Sequence, residues 1–146
     1  DFHGDKQNGK DDFTKCPNGA PGVETRMPIV FSEGVSKGRL SLNEFAAVTS
    51  TNPAKIFGMY PKKGVLAPGS DADIVLMNPD MEVTITKNIL HENVDYTPYE
   101  GIQVKGWPVM TMVRGQAVVE NERLQVPLGF GRYINRKPVK YTELLK

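Results

Sequence analysis

Histidine and cysteine, the residue types that most often build metal and nucleophilic sites, are scarce in this sequence. It holds two histidines, His3 and His91, and one cysteine, Cys16. A single cysteine excludes an internal disulfide and suits a reducing compartment, so we expect a cytoplasmic protein. The histidines form no H-x-H or H-E-x-x-H spacing, and the residues by themselves therefore predict no metal site. We interpret His91 as a structural or interface histidine and Cys16 as a loop or buried thiol.

Long apolar runs and an excess of one charge are also missing. The longest apolar runs, 72–77 and 109–113, are strand-sized, whereas a membrane helix needs about 20 residues. Eighteen basic residues face 17 acidic ones, so no global field draws the chain to nucleic acid. We expect neither a nucleic-acid nor a membrane partner. No signal-peptide pattern opens the sequence, and its start suggests a cut or processed chain.

The first part of the chain has helical signals after a turn-rich stretch at 1–22. Apolar residues recur four, seven and eight positions after Val23, which is typical of an amphipathic helix. We expect this helix to begin near Arg26 and to end at Gly34, because glycine readily adopts the left-handed conformation that follows a helix.

Two further helices are predicted from their N-terminal signals. Ser41 and Glu44 have the spacing of a capping box, which predicts a helix start. Asn52 is a good N-cap and Pro53 suits the first helical position, so a separate short helix is expected to run from there to Gly58.

Beyond residue 64 the apolar pattern becomes that of strands, with turn signals at Arg114-Gly115 and Asn121-Glu122. The expected strands are 72–77, 83–86, 102–105, 109–113, 116–120 and 124–126. The first is apolar enough to be buried on both faces, and Asn78-Pro79-Asp80 is expected to close it. Helices followed by strands indicate an α+β fold with a boundary near 60–64.

Catalytic patterns are absent from the residues considered one motif at a time. Asp71 and Asp73 follow a Pro-Gly turn and precede a strand, which favours turn and amide capping over a paired-carboxylate site. The segment from Gly131 onward carries a net charge of +4 from five basic residues and one acidic one. A basic tail of this kind is expected to dock on the same fold or on a neighbour.

Several stretches carry a family resemblance when they are considered together: 9–27, 42–58, 64–75, 95–101 and 105–109. The first contains Pro17-Asn18-Gly19, the third is GVLAPGSDADIV and the fourth is DYTPYEG. These motifs resemble those of the dihydropyrimidinase and D-hydantoinase family of cyclic amidohydrolases. The resemblance extends over essentially the whole chain.

That resemblance implies the C-terminal part of a larger enzyme, built from a (β/α)₈ barrel and a small β-sandwich. At 146 residues the chain is too short for a complete barrel, which takes about 250. Residues 1–60 would be the terminal loop and helices of the barrel, and 61–128 a portion of the sandwich. Residues 129–146 would form a basic tail that wraps toward an oligomer neighbour.

The implied activity is zinc-dependent hydrolysis of the ring amide of dihydropyrimidines or 5-substituted hydantoins to N-carbamoyl amino acids, in a homotetramer. The family's two-zinc ligands have no counterpart here, Asp1 included, so no metal or catalytic residue is assigned and the chain alone is expected to be inactive. One residue carries over, Asn18, whose main chain in the family hydrogen-bonds the amide edge of the substrate ring. Gly19 would allow that close approach, although Pro17-Asn18-Gly19 also fits a plain tight turn.

Other functions remain open at this point. A non-catalytic dihydropyrimidinase-like protein, similar to the collapsin response mediator proteins, would keep the fold without the metal ligands. An independent interaction module would leave sandwich strands unpaired at an edge. Allantoinase and dihydroorotase match less of the sequence. If the chain folds unaided, Met27, Val30, Phe31 and Phe45 are expected to form an exposed apolar stripe.

Overall fold

The computed structural model describes residues 5–139, and no helix within that range is long and apolar enough to cross a membrane. Its helices are α1 (Arg26–Val30), α2 (Leu42–Ala46) and α3 (Asn52–Ile56), with π-helical stretches at Phe31–Ser36 and Ala47–Thr51. Three 3₁₀ turns lie at Asp5–Gly9, Phe13–Lys15 and Lys87–Ile89. The strands are β1 (Ile74–Thr84), β2 (Gln103–Val113), β3 (Gln116–Glu120) and β4 (Arg123–Leu124). Helices therefore precede strands, in agreement with the α+β prediction.

The first helix extends further than its glycine suggested. The π-helical stretch continues α1 to Ser36, so the prediction of a helix end at Gly34 is wrong. A Cβ at Gly34 would lie 2.7 Å from Leu40 Cδ1, so tight packing, rather than a left-handed backbone, favours glycine there. The glycine with positive φ is Gly38, at 69°.

The second and third predicted helices form one continuous run. The capping box is confirmed, since Ser41 Oγ accepts from the Glu44 N–H at 3.2 Å and Glu44 Oε2 accepts from the Ser41 N–H at 2.8 Å. The predicted break at Asn52 is wrong, because its φ of −66° and ψ of −45° are helical. Pro53 has no N–H to donate within the helix, and the π-helical stretch just before it loosens the hydrogen-bond pattern there.

The four strands form one antiparallel sheet in the order β1-β2-β3-β4. Both predicted hairpin turns are confirmed, with φ of 51° at Arg114, 49° at Asn121 and 61° at Glu122. These positive values match the twist of two-residue hairpin loops.

Four of the expected strands merge into two long ones. Asn78 does not close a strand: β1 passes through it with a register shift between Asn78 and Glu82, which is a bulge. The prediction that the 72–77 run is buried on both faces is also wrong, since Leu76 is 46% exposed. Within the described residues β1 lies at the edge of the sheet, so no further strand covers it.

The core lies between α1 and one face of the sheet. Ile85, Val104 and Trp107 form the buried cluster, and Ile29 of α1 packs against it. Ser32 Oγ accepts from the Lys105 N–H at 3.0 Å, which pins the helix to β2. The sheet therefore determines where the chain enters α1.

The expectation of an exposed helical stripe is wrong for its two aromatic members. Phe31 and Phe45 are 5% and 7% exposed, and their rings pack edge to face at 5.3 Å. Gly106, whose φ is 102°, leaves room for the Phe31 ring on β2. Met27 and Val30 are half-buried.

Candidate functional site

The loop that carries Asn18 begins at the 3₁₀ turn Phe13–Lys15. Asp12 caps this turn, since its Oδ1 accepts from the Thr14 N–H at 3.1 Å and from Thr14 Oγ1 at 2.6 Å. These hydrogen bonds, with that from the Thr14 hydroxyl the largest, lower the pKa of the Asp12 carboxyl. The turn ends where the Cys16 N–H donates to the Phe13 carbonyl at 3.1 Å. Local chemistry thus defines the start of the loop.

Asn18 lies on the surface with its polar groups available. It is exposed, and within residues 5–139 no hydrogen bond engages its main chain or its side chain. Gly19 has a φ of 85°, and no atom lies within 4 Å of the position that a Cβ would take. The peptide N–H and C=O of Asn18 are therefore accessible to a planar ligand.

Lys6 holds the main chain on both sides of Asn18. Its ammonium donates to the Pro17 carbonyl and, at 2.7 Å, to the Gly19 carbonyl. The 3₁₀ turn that carries Lys6 packs on the loop at Gly9, where a Cβ would lie 3.1 Å from Cys16 Sγ. The sequence analysis missed Lys6, because no motif at 11 or 13 residues' separation signals such a contact.

The other end of the loop is fastened to the segment after β1. The Gly22 N–H donates to Glu92 Oε1 at 2.8 Å, and a Cβ at Gly22 would lie 3.0 Å from Tyr99 Cε2. Thr25 is fully buried and its Oγ1 donates to the Gly22 carbonyl at 3.2 Å. Glu92 Oε2 is buried and has no hydrogen-bond partner in the described part of the chain.

His91 joins this loop to the β3–β4 turn. Its main-chain N–H and its Nδ1 both lie 2.7 Å from the Glu24 carboxylate, and its Nε2 lies 3.1 Å from the Glu122 carbonyl. The hydrogen bond to Glu24 is the main cause of the raised pKa of His91. The contacts give His91 a structural role, as predicted.

Asp71 and Asp73 lie together around a lysine. The Lys63 ammonium contacts Asp71 Oδ2 at 2.9 Å and also contacts Asp73 Oδ2. The other Asp73 oxygen accepts from the Arg114 N–H at 2.9 Å, which is the amide capping that the sequence predicted. This arrangement links the loop after α3 to the β2–β3 turn and has the character of a structural junction.

A second concave feature lies away from Asn18. It is an open, mainly apolar groove of about 740 Å³ between the α2–α3 run and β1, and none of its lining residues belongs to 5–25. In the described range of the chain, no three His, Cys, Asp or Glu side chains come together in a way that could hold a metal ion. The residues present do not form a metal centre.

Comparison with known proteins gives a consistent family. Residues 15–118 match the sequence profile of the Amidohydrolase family. A D-hydantoinase of Geobacillus stearothermophilus is 47% identical over 145 residues, which cover 99% of this chain and 30% of the relative. A D-phenylhydantoinase of Escherichia coli is 46% identical over 129 residues, 88% of this chain and 28% of the relative.

Solved structures agree with the sequence relatives. The crystal structure of dihydropyrimidinase from Brevibacillus agri matches with a TM-score of 0.90 and 51% identity, and the match covers 94% of this chain and 30% of that one. The chain thus spans about 30% of the length of the proteins that it matches.

Proposed function

We propose that this chain, which belongs to the amidohydrolase family, is the C-terminal part of a cyclic amidase of the dihydropyrimidinase and hydantoinase kind. The reaction would be hydrolysis of the ring amide of a dihydropyrimidine or a 5-substituted hydantoin to an N-carbamoyl amino acid. The relatives' names support this reaction, since they are D-hydantoinase, D-phenylhydantoinase and dihydropyrimidinase. They do not favour the alternative of a non-catalytic structural protein.

The observation that carries the proposal for the site is the accessible main chain of Asn18. A cyclic amide presents an N–H donor and a C=O acceptor on one edge, and a peptide unit offers the complementary acceptor and donor without charge. Asn18 is exposed, and the open space beside Gly19 permits a flat ring to approach the backbone. In this proposal Asn18 binds and orients the substrate ring through its main-chain atoms.

We further propose that the enzyme uses two zinc ions whose ligands lie outside this chain. The described residues form no metal-ligand cluster, and family membership supports metal dependence only in general terms. The contribution of this chain would be substrate binding, and the chain alone would be inactive.

The groove beside β1 suggests how the remainder of the protein meets this part. It is mainly apolar, it opens along an edge strand, and the relatives are about three times longer than this chain. We propose that residues 1–60 complete a barrel and that 61–128 form part of a sandwich with the missing portion, which fills the groove. The tail at 129–146 would reach toward a neighbour in a homotetramer.

A cytoplasmic location is part of the same proposal. The single cysteine, Cys16, supports a reducing compartment, and it is partly exposed in the loop beside Pro17. Resemblance to the family, rather than any contact of this chain, supports the tetramer.

Two substitutions at one position test whether the main chain of Asn18 binds substrate. In the full-length enzyme, Asn18→Pro removes the peptide N–H and is expected to lower kcat/KM for hydantoin or dihydrouracil by about a hundredfold. Asn18→Ala keeps that N–H, so its loss should stay below about tenfold. Equal losses for the two variants would contradict recognition by the main chain.

A further inference from the structure

The ammonium group of Lys6 bridges two carbonyl oxygens that flank Asn18 along the chain. It donates to the Pro17 oxygen and to the Gly19 oxygen, the latter at 2.7 Å. Hydrogen bonds from a charged donor are about twice as strong as neutral ones. Lys6 is partly buried, and the turn Asp5–Gly9 that carries it rests on the loop. Two peptide units of the loop are therefore held by one side chain.

The geometry of the peptide bond extends this hold to Asn18 itself. The Pro17 carbonyl and the Asn18 N–H belong to the same planar trans peptide unit, in which they point in opposite directions. Because Lys6 binds the Pro17 oxygen, the Asn18 N–H points away from the ammonium. The Gly19 carbonyl is fixed in the same way one unit further on, so the peptide between Asn18 and Gly19 lies between two restrained neighbours.

Lys6 also keeps its charge off the open side of the turn. Its contacts with the two carbonyls direct the ammonium to the side opposite the Asn18 N–H. A neutral cyclic amide at Asn18 would thus meet peptide groups and no unpaired cation.

We propose that Lys6 is a positioning residue, which orients the main chain of Asn18 toward the amide edge of the substrate. This inference rests on the proposed function and names a residue that acts through Pro17 and Gly19 without touching substrate. Loosening the turn would misplace the donor and the acceptor of Asn18 in both the bound substrate and the transition state. Such a change weakens uniform binding, so it raises KM more than it lowers kcat.

The test compares Lys6→Met, Lys6→Gln, Lys6→Arg and Lys10→Met in the full-length enzyme. Lys10 is exposed and its side chain has no printed partner within residues 5–139, so Lys10→Met removes the same charge from the same loop. Steady-state kinetics with dihydrouracil and hydantoin would be measured with bound zinc and melting temperature. We expect Lys6→Met to raise KM by about tenfold or more and to change kcat by less than about threefold.

The graded variants separate positioning from general stability. Lys6→Arg keeps several donors and should restore most of the KM, Lys6→Gln should be intermediate, and Lys10→Met should match the wild type. If Lys6→Met does not fold, the intermediate KM of folded Lys6→Gln carries the test. A folded, metal-loaded Lys6→Gln or Lys6→Met with wild-type KM overturns the inference, as does a loss of melting temperature and zinc without a change in KM.

The two proposals fail in different ways. If the wild-type enzyme opens the ring but the Lys6 variants behave like Lys10→Met, the positioning role is wrong and the proposed function stands. If the metal-loaded wild-type enzyme opens no cyclic amide, the proposed function is wrong and the role of Lys6 falls with it.

Discussion

His91 binds the carboxylate of Glu24 through two groups, its main-chain N–H and its ring Nδ1, each at 2.7 Å. The remaining ring nitrogen, Nε2, lies 3.1 Å from the Glu122 carbonyl. A neutral imidazole carries one N–H, so only the doubly protonated ring can donate to both acceptors. The protonated form therefore ties the loop before α1 to the β3–β4 turn.

This pair predicts a pH-dependent contribution to stability. The pKa of His91 is raised in the folded protein, mainly by the hydrogen bond to Glu24. The contribution is thus fully present below the unfolded pKa of about 6.5 and is lost as the pH rises through the folded pKa. His91 is largely exposed and solvent screens the pair, so its contribution is about 0.5 kcal/mol.

We expect His91→Gln to lower the melting temperature of the full-length protein more at pH 6 than at pH 9. Glu24→Gln, which removes the carboxylate but keeps a polar side chain, should show the same trend. A gap between wild type and variant that is equal at the two pH values would show that the ion pair does not contribute.

Glu92 is expected to hold the substrate loop at its far end. Its Oε1 accepts from the Gly22 N–H at 2.8 Å, and its Oε2 is buried without a partner in the described part of the chain. Glu92→Ala removes the acceptor and should speed hydrogen exchange of the peptide that contains Gly22, because the donor loses its partner. Glu92→Gln keeps an acceptor and should exchange like the wild type. Exchange that is unchanged in Glu92→Ala would contradict the anchor.

Lys63 is expected to stabilise the junction between the loop after α3 and the sheet. Its side chain is 15% exposed and binds both Asp71 and Asp73. Lys63→Met leaves two neighbouring carboxylates without their cation, so the free energy of unfolding should fall by about 1 kcal/mol. Lys62→Met, a change at the exposed neighbouring residue, is the matched control for thermal or denaturant unfolding. Equal stability of the two variants would remove the junction from the account.

Gly58 is expected to seat the C-terminal segment on the helices. The Lys137 N–H donates to the Gly58 carbonyl at 2.9 Å, and a Cβ on Gly58 would collide with the Lys137 carbonyl oxygen. Gly58→Ala should release this contact and make Arg132 and Arg136 more sensitive to trypsin. Gly129→Ala introduces a Cβ at a similar φ, 84° against 68°, with open space around it.

Limited proteolysis with peptide mass analysis distinguishes these two glycine variants. The account predicts that the tail cleavage rate rises by several fold in Gly58→Ala and changes less in Gly129→Ala. Similar rates in both would mean that backbone strain, rather than the lost seat, controls the cleavage.

Local chemistry made part of the fold predictable. The capping box at Ser41 and the hairpin turn at Arg114-Gly115 depend on residues close together in sequence, and both are confirmed. The burial of Phe31 depends on Gly106, which lies 75 positions away and leaves the space for its ring. The sequence pattern contains no signal for that pairing, so the aromatic residues were expected to be exposed.

The candidate site divides in the same way. Asn18 was found through motif resemblance, and its open main chain is consistent with a binding turn. Lys6 and Glu92 were missed, because each holds the loop through a contact with main-chain atoms that any residue type possesses. Contacts of this kind depend on the folded path of the chain and leave no motif.

The central claim is that this chain is the C-terminal part of a cyclic amidase, and a ring-opening assay of the purified full-length protein tests it most directly. Dihydrouracil and a 5-substituted hydantoin would be incubated with enzyme of measured zinc content, and the N-carbamoyl product would be quantified. The account predicts turnover of at least one substrate by protein that carries about two zinc ions per subunit. A folded, zinc-loaded full-length protein that opens neither ring would contradict it.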